Sequence, residues 1–119
     1  MRALLLALTL FVVPGAAFAG DPANGKAISE KGVLDEKGAA KVLPCGSCHG
    51  LDGAKPVAPE NPILAGQYED YIVRALLDYK SGKRVNPVMK AIADPLKRKD
   101  IEDVAAWFSR QKSSLHFQR

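Results

Sequence analysis

Apolar residues recur at three- and four-residue steps in two stretches of the chain, and a third stretch carries strong helix-end signals. Tyr68, Tyr71, Ile72, Ala75, Leu76 and Tyr79 share one face of a helix from about Glu69 to Lys80. Glu69 and Asp70 suit its N-terminus through the macrodipole, and Gly82 stands where a C-terminal cap belongs. Ile101, Val104, Ala105 and Phe108 form the stripe of a second helix over roughly Arg98 to Gln111, with Trp107 at its edge. Leu96 and Ile101 are spaced as a hydrophobic staple around an N-cap at Lys97. Asp21-Pro22 opens a third helix, an N-cap followed by proline at the first helical position, which runs to Lys31 before Gly32. Its apolar positions, Ala23, Ala27 and Ile28, are small or few, and Gly25 between them lowers helicity. A glycine there makes sense where another helix crosses closely. No stretch shows sustained period-2 alternation, so the pattern predicts an all-α fold. Residues 32–44 read as irregular, with Asp35 to Leu43 a candidate short helix. Residues 50–67, rich in proline and glycine, read as an ordered loop.

The first 19 residues follow a different pattern. Arg2 precedes an apolar run from Ala3 to Val13 interrupted only by Thr9; Pro14-Gly15 then breaks it, and Ala17-Phe18-Ala19 offers a small-x-small cleavage signal. The run is shorter than the roughly 20 residues a bilayer demands. Residues 1–19 are therefore expected to be a cleaved secretory signal, leaving residues 20–119 as one domain in the periplasm with no membrane anchor.

A domain of this size has a small core and usually needs a staple such as a metal, disulfide or cofactor. The chain has only two cysteines, three apart, and a disulfide over so short a loop would stabilise little. The formal charge is +4 with 7% aromatic residues and no long basic run, a poor match to nucleic-acid binding. A modest basic patch that steers an acidic protein partner fits better. Lys97-Arg98-Lys99 places three cations at the positive end of the last helix, a locally unfavourable choice.

The cysteines belong to Cys45-Gly46-Ser47-Cys48-His49, the C-x-x-C-H signature of covalent haem attachment. On one helical turn, positions i and i+3 share a face, so both thiols reach the two vinyl groups of a single porphyrin. The histidine at i+4 can then ligate the iron. Three other readings compete. A thioredoxin-like redox pair needs a βαβ context that is missing here, a zinc site needs a fourth ligand, and a plain disulfide ignores His49. Haem iron bound by His49 needs a sixth ligand. Met89, the sole methionine after the signal, sits in Asn86-Pro87-Val88-Met89, read as a proline-bounded loop between two helices. Thioether with histidine is the usual cytochrome c pairing. His116, in the C-terminal tail, is the alternative that would give bis-histidine ligation. With both axial positions filled, the iron changes oxidation state and binds no substrate.

These residues together make the chain resemble the bacterial single-haem class I c-type cytochromes, and it is similar to the halves of bacterial dihaem cytochromes. The resemblance runs from Asp21 to Gln111. It rests on Asn24-Gly25-Lys26, the Cys45–Gly50 motif, Pro62-Ile63-Leu64-Ala65-Gly66-Gln67, Tyr79–Arg84, Asn86–Met89 and Asp100–Phe108. It implies a small class I cytochrome c fold, three main helices around one haem c bound by thioethers to Cys45 and Cys48. It implies Gly25 packed on Trp107 or Phe108, Pro62 offering its carbonyl to the His49 ring, and Met89 as distal ligand. The chain departs from the family in a longer 27–44 segment and in the basic start of the last helix. The function expected is electron carriage by a monomer rather than catalysis, with redox proteins as partners that present an acidic docking face. Lys55, Lys83, Arg84, Lys90 and Lys97-Arg98-Lys99 are the cations available for docking. Two alternatives stay open: a haem subunit fixed to a larger dehydrogenase or oxidase, and a gas- or peroxide-binding haem protein with a labile sixth ligand.

Overall fold

In the computed structural model, which describes residues 20–114, helix α1 spans Pro22–Lys31 and a two-stranded ribbon follows, β1 Val33–Leu34 and β2 Ala40–Val42. A single helical turn, α2, covers Gly46–His49; after the 50–67 loop come α3 Glu69–Ser81, α4 Pro87–Ala93 and α5 Arg98–Ser109. The expected signal at residues 1–19 and His116 lie outside the described residues.

The three long helices stand where the periodicity predicts them. Asp21 caps α1 by accepting from the Ala23 backbone N–H at 2.9 Å, and Gly82 closes α3 in the left-handed region at φ +82°. Leu96 and Ile101 are both buried, as the staple requires. The α3 face differs from its pattern at one end: Ile72, Val73 and Leu76 are buried, while Tyr68 and Tyr71 are exposed at the rim. In α1 the buried face is Gly25, Ile28 and Ser29, and Ala23 and Ala27 point outward. The last helix ends two residues earlier than expected, at Ser109.

Two local expectations are corrected. Asp35 to Leu43 is a hairpin, not a helix. The Asp35 carboxylate accepts from the backbone N–H groups of Lys37 and Ala39, each at 2.9 Å, which satisfies the turn locally and competes with helix formation. Val33 pairs with Val42 and Leu34 with Ala40 across a bulge, and Val42 pins the ribbon to the core. Strands of two and three residues are too short to show alternation. Asn86 to Met89 is the start of helix α4, not a loop. Asn86 accepts from the Met89 N–H at 3.0 Å and Pro87 occupies the first helical position.

Helices α1 and α5 cross at Gly25. A Cβ added there would lie 2.0 Å from the Asp103 carbonyl oxygen and 2.8 Å from the Trp107 Cβ, so only glycine lets the two backbones approach this closely. Beside the crossing lies a charge that sequence reading missed. The fully buried Asp103 accepts from the Asp21 backbone N–H at 2.6 Å and from the Asn24 side chain at 2.7 Å, and Lys99 donates to it from one turn back. Burial pushes the Asp103 carboxyl up, but the hydrogen bonds from Lys99, Asn24 and Asp21 outweigh it, and the net shift is downward from the ordinary value. The basic start of α5 is thereby explained in part: Lys99 serves Asp103, and Arg98 pairs with Glu102 at 2.6 Å. Asp100 also accepts from the Lys97 backbone N–H at 2.9 Å, which supplies half of a capping box where Lys97 offers no acceptor.

Replacement of Gly25 by alanine gains about 1 kcal/mol of helix propensity but forces a methyl into backbone atoms, an overpacking cost of roughly 1–3 kcal/mol. Gly25→Ala is expected to lower the thermal midpoint by several degrees; an unchanged or raised midpoint would contradict the crossing. Asp103 sets an acid limit. Its stabilisation is complete above the unfolded-state pKa, near 3.8, and is lost as the pH falls through the lower folded-state value. Denaturant unfolding between pH 5 and pH 2, about the range where a carboxylate of this kind titrates, should show stability falling with acidification. Asp103→Asn should be less stable at neutral pH and show a shallower slope.

Candidate haem-attachment site

The motif residues are held by the turn that their own spacing makes possible. Helix α2 closes with the His49 N–H on the Cys45 carbonyl at 3.0 Å, and Cys45, Cys48 and His49 therefore emerge from one turn. Gly46 at the turn's start is buried against the Ser29 carbonyl and Leu51, which seats α2 directly on α1. Below the turn, the Leu51 carbonyl accepts from the Ser29 hydroxyl at 2.8 Å and from the Trp107 ring N–H at 3.2 Å. Both long helices thus grip the backbone immediately after the motif. Sequence reading missed Ser29 in this role, because a lone serine in a helix has no distinguishing pattern.

The loop after the motif folds back over it. The Cys48 carbonyl accepts from the Val57 backbone N–H and from the Asn61 side chain, each at 3.1 Å. At its far end the loop is tied to α5 by the Gly66 N–H on the Phe108 carbonyl at 2.8 Å. Between these anchors, Pro62 presents its carbonyl oxygen 2.9 Å from Nδ1 of His49. A carbonyl only accepts, so Nδ1 carries the proton and Nε2 keeps its lone pair. His49 itself is buried.

Cys45 is half-buried, Cys48 exposed, and both are free thiols. Burial pushes the Cys45 thiol up to about 11, and the neighbouring Cys48 adds a smaller push in the same direction. A redox-exchange cysteine needs the opposite, a lowered pKa. Among the described residues, no group of three or more His, Cys, Asp and Glu side chains gathers as a zinc site would require. A buried histidine with one ring nitrogen free, beside two thiols on its own turn, fits haem as donor set and attachment point.

Met89 comes from a separate element. It lies in the first turn of α4 and is half-buried against the core, while residues 82–88 are all exposed. The cations expected to form a docking patch divide into two groups. Lys90 pairs with Asp94 at 2.8 Å, and Arg98 and Lys99 pair within α5. Arg84 lies over the Tyr79 ring at 4.9 Å and reaches the Tyr71 hydroxyl at 3.3 Å, an interaction that raises its pKa. Lys55, Lys83 and Lys97 have no ion-pair partner among the described residues.

The chain resembles known proteins over most of its length. The cytochrome c family model matches residues 23–112. A cytochrome c4 of Pseudomonas aeruginosa is 40% identical over 110 residues, which cover 92% of this chain and 48% of that protein. The cytochrome subunit of sulfide dehydrogenase from Chlorobaculum tepidum is 32% identical over 114 residues, 95% of this chain and 100% of that subunit. The solved Acidithiobacillus ferrooxidans cytochrome c4 superimposes with a TM-score of 0.67 at 36% identity, over 82% of this chain and 56% of that one. The chain spans about half the length of the cytochrome c4 relatives it matches. With the signature turn, the loop carbonyl on its histidine and this match in hand, the chain belongs to the cytochrome c family.

Proposed function

We propose that the protein is an electron carrier of the periplasm that holds one haem c per chain. The reading is carried by one observation: Cys45, Cys48 and His49 share a single turn, and the Pro62 carbonyl engages Nδ1 of His49 at 2.9 Å. Haem supplies the one-electron iron couple. The chain's residues supply attachment, ligation and exclusion of water. Cys45 and Cys48 would form thioethers to the vinyl groups, and His49 would ligate through Nε2. Pro62 fixes the ring's tautomer and orientation, as partners of ligating histidines do. Met89 would be the distal ligand, presented by a helix whose cap sits on its own backbone N–H. With His49 and Met89 both holding the iron, no position would be left for a substrate or gas, which favours electron transfer over catalysis or gas binding.

Export through the 1–19 signal supports periplasmic localisation, and among the described residues no helix is long and apolar enough to cross a membrane. The mature protein would act as a monomer and dock transiently on an acidic redox partner through Lys55, Lys83 and Lys97. A second reading has its own support: the sulfide dehydrogenase subunit matches over its whole length. On that reading the chain is a haem subunit that takes electrons from a dehydrogenase, and co-purification with such a partner would distinguish it from a free shuttle.

The decisive measurement is the optical spectrum of both oxidation states. Covalent haem should be present, with the weak iron–thioether band in the oxidised form. Met89→Ala should remove that band, lower the reduction potential and let the reduced protein bind carbon monoxide at neutral pH, which the wild type should resist. Carbon monoxide uptake by the wild type would favour the gas-binding reading. Electron-transfer rates to an acidic partner should fall as ionic strength rises. Rates indifferent to salt would remove the electrostatic docking surface from the proposal.

A further inference from the structure

The helix that carries Met89 is too short to hold its own orientation. Helix α4 has seven residues, under two turns, well below the length at which an isolated helix is stable in water. Only Met89, Ile92 and Ala93 of this helix pack on the core. Its placement therefore depends on its ends. At the front, Asn86 accepts from the Met89 N–H. At the rear, carbonyls of its last turn and of the link to α5 converge on one side chain from a different helix. Nζ of Lys80, in the last turns of α3, donates to the carbonyl of Asp94, to that of Leu96 at 2.7 Å and to that of Ala93 at 3.5 Å.

An ammonium has three donors and no acceptor; here three backbone carbonyls take them, and no carboxylate is involved. The tie runs both ways. Lys90, adjacent to Met89 in sequence, sends its own Nζ to the Lys80 backbone carbonyl at 3.2 Å and to the Asp94 carboxylate at 2.8 and 3.0 Å. Two lysines thus lock the end of α3 to the end of α4. The charge of Lys80 also lies at the negative ends of both helix dipoles, where it is favoured. With its donors engaged on backbone carbonyls, Lys80 is poorly placed to serve as a docking cation.

We propose that Lys80 is the positioning residue for Met89, setting how firmly the thioether is presented to the iron. The inference rests on the reading of Met89 as distal ligand. Thioether is the weaker of the two axial donors, so slack in α4 shows first as loss of that bond, before any loss of fold.

The test uses the holoprotein with Lys80→Met, Lys80→Gln and Lys80→Arg. Asp35→Ala serves as a control that weakens the hairpin turn instead. The Met and Gln variants should keep covalent haem and helical circular dichroism. They should show a weakened iron–thioether band, a lower reduction potential and carbon monoxide uptake about tenfold faster, as expected for loss of charge-assisted hydrogen bonds. Lys80→Arg, which keeps charge and donors, should retain most of the band. Lys80→Gln, with the milder change, keeps the comparison open if Lys80→Met yields no holoprotein. Asp35→Ala should lower the thermal midpoint and leave band, potential and uptake at wild-type values. Wild-type band and uptake in both Lys80→Met and Lys80→Gln would overturn the assignment. So would an equal loss of band in Asp35→Ala. A wild-type spectrum without the band would reject the Met89 reading, and this inference with it.

Discussion

Helices α1 and α5 meet where Gly25 faces the Asp103 carbonyl, with no room for a side chain between them. That close approach brings Ser29 from one helix and Trp107 from the other onto the same carbonyl of Leu51, two residues after His49. It also sets the end of α5, whose Phe108 carbonyl holds the Gly66 N–H and with it the loop that brings Pro62 to His49. The signature turn has only four helical residues and would not persist alone. Its geometry is inherited from a helix crossing more than twenty positions away in sequence on one side and more than fifty on the other.

Several charged side chains of this protein are tied into its structure. Asp103 is buried and gathers donors from both partners of the crossing, so a carboxylate that would be costly if unpaired becomes the polar tie between them. Lys99, which at first sight opposes the helix dipole, serves that carboxylate. Lys80 and Lys90 hold α4 in place. Of the cations expected to dock, Lys55, Lys83 and Lys97 are left as those with no ion pair or ring contact among the described residues. Exposed ion pairs such as Arg98–Glu102 contribute little to stability, but they do reduce the local field that a docking partner would meet.

The core described here is modest for a domain of this length, built mainly from Ile28, Ile72, Leu76, Leu96, Ile101, Val104 and Phe108. Several large apolar side chains remain exposed, among them Leu43, Val57, Tyr71 and Val88. A bound porphyrin with a large apolar face is the kind of staple that such a core needs. Cofactor and fold would then stabilise one another, as is common where metal binding and folding are coupled.

Much of this was legible in the linear chain. Periodicity and end signals place α1, α3 and α5 nearly to the residue, because each helix is long enough for one face to declare itself. The C-x-x-C-H spacing carries its own turn and its own chemistry, Met89 stands out as the one methionine besides Met1, and Pro62 follows from the family resemblance. The hairpin and α4 escaped because two- and three-residue strands and a seven-residue helix fall below the length at which a period can be read. Asp103, Ser29 and Lys80 escaped for a different reason: their partners lie on other elements, and residue type alone does not distinguish a buried tie from a solvated polar side chain. The sequence by itself thus determined the three long helices and which residues are candidates to attach and ligate haem, since both depend on local spacing. Only the tertiary structure decided that Asp103 is buried at the α1–α5 crossing, that Ser29 and Trp107 share the Leu51 carbonyl and that Lys80 grips the end of the Met89 helix. Those contacts depend on backbones from distant segments arriving within hydrogen-bond distance, which no local pattern records.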